Sequence, residues 1–135
     1  MQKRDVAVLI LRQAGKILLE KRGGTEKRFP NTWGLFGGGL EKNETALQAI
    51  TREMQEELGY GLNNPRLLFT YPFTLPEYGE DGVVYVFEDE VDGASPLSLN
   101  QNWHSPDKIL EGKDFEMHSV YRGIIAKAEK QSIII

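Results

Sequence analysis

The chain reads as an α/β domain built on a mixed β-sheet, and three observations predict this. Apolar runs of strand type stand on both sides of one helical segment, that segment has both of its ends marked, and helical signals return near the C-terminus. At 135 residues and 40% hydrophobic, the chain is expected to form a single domain over 1–135.

The elements follow in order. Val6–Leu11 is a continuous apolar run that reads as a buried strand, and Ala14-Gly15 turns it toward a second strand at Ile17–Glu20. Residues 23–32 are mostly polar, with Gly23, Gly24, Pro30 and Asn31 marking a loop. Thr45 followed by Gln48 is a capping-box pattern, so a helix should start there, and Gly59 is placed to end it after Leu58. Leu47, Ile50, Met54 and Leu58 form its core-facing stripe. Leu67–Phe73 and Val83–Val91 read as strands, the second after a turn at Glu80-Asp81-Gly82. Ser105 and Pro106 suit the cap and first position of a short helix. A last helix is expected from about Phe115, with Asp114 as N-cap, followed by an apolar tail, Ile133–Ile135.

The chemistry concentrates on the central helix. Glu53 lies three residues before Glu56 and four before Glu57, so like charges are brought together on one side, at a cost of a few tenths of a kcal/mol per pair. A divalent cation reverses that sign. Magnesium prefers carboxylate oxygens, keeps several waters and leaves positions for substrate phosphates. Upstream, Gly37, Gly38 and Gly39 lack a Cβ and let backbone approach an ion or phosphate closely. Ala46 and Ala49 share the glutamate side, where small residues admit a neighbour. Arg52, four residues before Glu56, is placed to pair with it and orient it. Glu44 precedes the helix, where a carboxylate suits the positive end of the helix dipole.

From Gly38 to Tyr60 the chain reads GGLEKNETALQAITREMQEELGY, which resembles the signature of the Nudix hydrolase superfamily at Gly38, Glu44, Arg52, Glu53, Glu56, Glu57 and Gly59. At about 7% average usage per fixed position, those matches arise by chance in about 10⁻⁸ of windows. Met54 and Tyr60 fill the signature's bulky apolar positions; Tyr60 is aromatic where an aliphatic residue is usual, and Phe36 stands where many relatives have proline.

The resemblance implies a sheet sandwiched between helices and a pyrophosphohydrolase. It implies magnesium, with manganese as the alternative, held by Glu53, Glu56, Glu57 and a carbonyl near Gly37 or Gly38. Catalytic roles fall to Glu53, Glu56 and Arg52, with Glu53 and Glu56 both candidates for the base; some relatives use a later carboxylate, for which Glu88, Asp89 and Glu90 are available. Lys21, Arg22, Gly38 and Gly39 are the substrate-binding candidates, and Lys27 and Arg28 offer further cations. Phe29, Trp33, Phe73, Tyr78 and Trp103 could offer a ring for a nucleobase. His104 and His118 are too isolated in sequence for a histidine metal site.

The leading substrate is a nucleoside triphosphate, normal or oxidised, cleaved to monophosphate and pyrophosphate. Alternatives are nucleotide sugars, ADP-ribose or dinucleoside polyphosphates, toward which Pro76 and Tyr78 point in different directions. A third reading is a nucleotide sensor without turnover. A net charge of −4 argues against long nucleic acid as partner. Absence of cysteine excludes disulfides and suits the cytoplasm. The apolar run after the basic start ends at Arg12, too short for a signal peptide, and no stretch is long enough to span a membrane. The resemblance also admits a homodimer.

Overall fold

Ala14 and Gly15 both take positive φ, 50° and 77°, which makes the tight hairpin turn the sequence predicts. In the computed structural model it joins β2 (Val6–Gln13) to β3 (Lys16–Lys21). The remaining strands are β1 (Gln2–Lys3), β4 (Trp33–Gly34), β5 (Phe36–Gly39), β6 (Arg66–Leu75), β7 (Glu80–Glu90) and β8 (Gln101–His104). The helices are α1 (Ala46–Leu58), α2 (Pro106–Glu111) and α3 (Ser119–Ile134), with a 3₁₀ turn at Pro76–Tyr78. The structure describes residues 1–59, 61–91, 100–112 and 115–134, with 132–134 described by backbone only. Expectations placed on Tyr60, on Asp114 as a cap and on the side chains of the apolar tail lie outside the described residues.

The chain packs as two compact units, Met1–Ile10 with Phe36–Glu90, and Leu11–Leu35 with Val91–Ile135. In the first unit, β1 runs parallel to β7, while β6 pairs antiparallel with β7 and β5 pairs antiparallel with β2, so its pairing is mixed as expected. Val8, Leu9 and Ile10 of β2 are buried with Phe36 of β5 and with Ile50 and Met54 of α1. In the second unit, β3 pairs antiparallel with β2, β4 and β8. Its core holds Ile17, Leu19, Ile109, Ile124 and Ile125.

Several boundaries differ from the sequence reading. Glu80-Asp81-Gly82 is strand, not turn: the reversal is made earlier by the 3₁₀ turn and Gly79 at φ 64°. Gly82 serves close packing instead, since a Cβ there would lie 2.2 Å from the Arg4 carbonyl oxygen. The last helix starts at Ser119 rather than near Phe115. Phe115 is buried ahead of it, and its carbonyl accepts from Arg122. His118 takes the capping role: its Nδ1 accepts from the Val120 N–H at 3.1 Å. On α1, Leu47 is 49% exposed, and Ala49 joins Ile50, Met54 and Leu58 in the buried set. The helix packs on β5, whose glycines let it approach on the glutamate side, so the buried stripe is turned toward Ala49.

Candidate active site

The helix carrying the acidic set is fixed at both ends. Thr45 Oγ1 accepts from Gln48 N–H at 3.1 Å, Gln48 Oε1 accepts from Thr45 N–H at 2.9 Å, and Gly59 ends the helix in the left-handed region at φ 73°. Both ends are as the sequence predicts.

Arg52 is the hub. Its Nε donates to Glu44 Oε2 at 2.9 Å and its Nη2 to Glu44 Oε1 at 3.0 Å, a forked pair of the strong kind. Nη1 donates to Glu53 Oε1 at 2.9 Å and reaches Glu56 Oε2 at 3.5 Å, and Nη2 also donates to the Gly39 carbonyl at 3.2 Å. The expected pairing with Glu56 is therefore the longest of these contacts. Glu44, read as a partner of the helix dipole, is instead the main anchor of the guanidinium.

Glu44 is itself set by the turn before the helix. Asn43 holds a positive φ of 64°, the Glu44 N–H donates to the Glu41 carbonyl at 3.0 Å, and the Glu41 N–H donates back to Glu44 Oε1 at 2.9 Å. Arg52, and after it the Glu41 N–H, lower the Glu44 carboxyl from 4.5 to about 2. The Arg52 guanidinium is held well above its ordinary range, first by Glu44 and, against the opposing effect of burial, by Glu53.

The glycine run meets this cluster through space that only glycine leaves. A Cβ on Gly38 would lie 2.5 Å from Glu53 Oε1, so the carboxylate rests against bare backbone. Gly37 is at φ 144°, and a Cβ on it would fall 2.0 Å from the Ala7 carbonyl oxygen. Glu53 is 15% exposed in its side chain and Glu56 is 59% exposed, while Glu57 is half-buried. Among the described residues, no three acidic or imidazole side chains are already drawn round one point. The donor set nevertheless fits a hard divalent cation: three carboxylates on one helix with backbone carbonyls of the glycine run beside it, all oxygen, with no nitrogen or sulfur.

The other predicted groups are distributed as follows. Lys21 and Arg22 belong to the second unit. Lys21 is exposed at the end of β3, whereas Arg22 braces its own loop, its Nε donating to the Arg28 carbonyl at 2.7 Å and its Nη2 lying 3.5 Å from Glu26. Phe29 and Trp33 are engaged by protein rings. Phe29 lies 4.2 Å from His118 between ring centres, and Trp33 stacks on Phe115 at 5.8 Å with His104 edge-on at 4.7 Å. Phe73 is buried like Phe29, whereas Trp33, Tyr78 and Trp103 are half-exposed.

Glu88 and Asp89 are buried strand residues. Glu88 accepts from Arg66 at 2.5 Å, and Asp89 accepts from the N–H groups of Asn63, Asn64 and Glu90 at 2.7 to 2.9 Å. Asp89 thereby fixes the loop that borders a hollow of about 160 Å³ lined by Asn63, Asn64, Arg66, Asp89 and Glu90.

The NUDIX domain family model matches residues 1–127. The chain belongs to the Nudix family. Nudix hydrolases act on phosphoric anhydrides and generally use divalent cations. An uncharacterised Nudix hydrolase of Listeria innocua is 38% identical over 87 residues, covering 62% of this chain and 50% of that protein. The nucleoside triphosphatase NudI of an Enterobacter species is 41% identical over 59 residues, covering 44% of this chain and 42% of that protein. The chain thus spans about half the length of the curated relatives it matches. A MutT protein from Methanosarcina mazei superposes with a TM-score of 0.82 at 21% identity, over 97% of this chain and 96% of that one. A MutT Nudix hydrolase from Burkholderia pseudomallei gives 0.77 at 24% identity, over 93% and 98%. The shared architecture is the α/β Nudix fold with a mixed sheet.

Proposed function

We propose that this Nudix chain, acting as one domain, hydrolyses a nucleoside triphosphate to the monophosphate and pyrophosphate with magnesium, and that its substrates include oxidised or non-standard nucleotides. The observation that carries the reading is the Arg52 hub, which ties Glu44, Glu53 and the Gly39 carbonyl into one unit beside the glycine run. The name of the Enterobacter relative, a nucleoside triphosphatase, supports the substrate class over the segment it shares.

In this reading Glu53, Glu56, Glu57 and a carbonyl of Gly37 or Gly38 hold the ion. When bound, magnesium supplies neutralisation of phosphate charge and a lowered pKa for water. The protein supplies position. Arg52 fixes the rotamer of Glu53, and Glu44 fixes Arg52, so the helix presents a carboxylate that need not reorganise as charge develops. Glu56, at 3.5 Å from the guanidinium and more exposed than Glu53, is the looser carboxylate and the better placed to take a proton from water. Gly38 and Gly39, which have no Cβ, are the proposed backbone contacts for the phosphates. A cytoplasmic setting agrees with the lack of cysteine. A homodimer, which the family admits, is checked by sedimentation.

The direct test is removal of the acidic charges. Glu56→Gln and Glu57→Gln should each lower turnover by about two orders of magnitude or more with the fold intact, and EDTA should abolish activity that magnesium then restores. Full turnover in both variants, or turnover after verified removal of divalent ions, contradicts the assignment.

A further inference from the structure

We propose that residues 23–31 form a strap latched by the Phe29 ring, and that this strap opens as a local step while the second unit stays folded. Access to the His118 and Tyr121 rings is then set by the latch. The inference concerns the second unit alone and stands apart from the hydrolase reading.

The sequence gives this loop one apolar anchor. From Gly23 to Asn31 every residue is exposed or half-exposed except Phe29, whose ring lies on His118 and edge-on to Tyr121, the latter at 5.5 Å between ring centres. The two limbs of the loop touch, since a Cβ on Gly24 would lie 3.1 Å from Asn31 Oδ1. Their root continues the β3–β4 ladder. Lys21 pairs with Trp33, the Arg22 N–H donates to the Thr32 carbonyl at 2.8 Å, and the Asn31 N–H donates to the Arg22 carbonyl at 3.1 Å.

The anchor is also where the backbone is strained. Phe29 holds a positive φ of 51°, a region that a bulky L-residue rarely enters. It precedes Pro30, and a residue before proline prefers extended backbone with φ of about −120°. Asn31, at φ 60°, is of a type that tolerates this region, so the strain concentrates on Phe29. The closed conformation is imposed by the ring contacts and by two hydrogen bonds. Thr32 Oγ1 donates to the Phe29 carbonyl at 2.7 Å, and Arg22 Nε donates to the Arg28 carbonyl at 2.7 Å. Opening gives up these contacts and releases the strain, which brings the open state nearer in free energy than an unstrained anchor would.

The seat is held from elsewhere. His118 Nδ1 accepts from the Val120 N–H at the start of α3, and Tyr121 fits where Gly34 of β4 has no Cβ, 3.1 Å from that position. Neither of these holds uses residues 23–31.

Lys27 and Arg28 stand beside the latch and place two trypsin sites on the strap. The folded protein is digested at several urea concentrations below the unfolding transition, with cut sites read by mass spectrometry and a melting curve for each variant. When opening and closing outpace cutting, the rate follows the open population. In wild type, cuts after Lys27 and Arg28 should precede any cut after Arg122 in α3, at a rate nearly independent of urea, as local opening predicts. Phe29→Ala should speed them by about tenfold to a thousandfold, the inverse of a minor-state population of about 0.1–10%. Thr32→Val keeps the ring and should speed them by about fivefold through loss of one hydrogen bond. Thr25→Ala, on the exposed loop, should match wild type. If Phe29→Ala does not fold, Thr32→Val decides. Cuts at Lys27 and Arg28 that share the urea dependence of the cut after Arg122 overturn the proposal, since the strap then opens only by global unfolding. Equal rates in wild type, Phe29→Ala and Thr32→Val overturn it as well, since the loop then has no latch.

Discussion

Two neighbouring glycines do different work, and substitution should separate them. At Gly37 the positive φ and the Ala7 carbonyl leave no room for a methyl group, so Gly37→Ala strains the β2–β5 pairing. It should cost about 2 to 3 kcal/mol of stability, seen as a lower midpoint in urea. At Gly38 a methyl group would collide with the Glu53 carboxylate, the end of a side chain, and not with backbone. Gly38→Ala should therefore fold with nearly unchanged stability and lose at least about tenfold in turnover, because Glu53 is pushed off Arg52. Equal stability loss in both variants contradicts this division. The Glu44 carboxylate, lowered to about 2, contributes its ion pair fully above pH 4.5 and loses it only as pH falls from there toward its folded value. The glutamates and the glycine run were legible in the sequence because charge spacing on a helix is local. The Glu44 link was not, because it depends on the Asn43 turn carrying a carboxylate back over the second turn of α1.

At the scale of elements, α1 carries the site, and its start depends on a reciprocal pair of side-chain hydrogen bonds. Thr45→Ala removes the hydroxyl that accepts from Gln48 N–H and should cost about 1 kcal/mol, measurable as a shift in the urea midpoint at constant slope. No change would mean that the helix start is held by Glu44 and Arg52 instead. This element was read correctly because its cap, stripe and terminal glycine all agree. Leu47 was the exception, since periodicity gives the angle of a residue but not which neighbour the helix packs on. The short strands β4 and β5 were hidden by glycine content, and β8 by polar residues. Gly82 imitated a turn because aspartate and glycine usually make one; its role of admitting the Arg4 carbonyl is set by a strand distant in sequence. The start of α3 was misplaced for a similar reason: Phe115 is held by packing and by Arg122 before the helix begins.

For the whole molecule, stability responds to acid through a buried histidine. His104 is buried beside Trp33 and Phe115, and burial first, then Lys108 and Lys16, hold its imidazole below the ordinary value of 6.5. The folded protein therefore binds this proton less readily than the unfolded chain. The stability it contributes is full above about pH 6.5 and is lost as pH falls toward the folded value. His104→Gln should flatten the decline of Tm between about pH 7 and about pH 5, and an unchanged slope would contradict the effect of burial. Among the described residues no helix is long and apolar enough to cross a membrane. The net charge of −4 agrees with a small nucleotide guided by local cations. The central claim, that Nudix chemistry here is directed at a triphosphate, is tested most directly by product analysis. Wild type is incubated with magnesium and a panel of normal and oxidised triphosphates, nucleotide sugars and dinucleoside polyphosphates, with Glu57→Gln as control. Monophosphate and pyrophosphate from triphosphates, absent with the control, is the predicted result. Cleavage of linked nucleotides alone, or release of orthophosphate with a diphosphate, would contradict it.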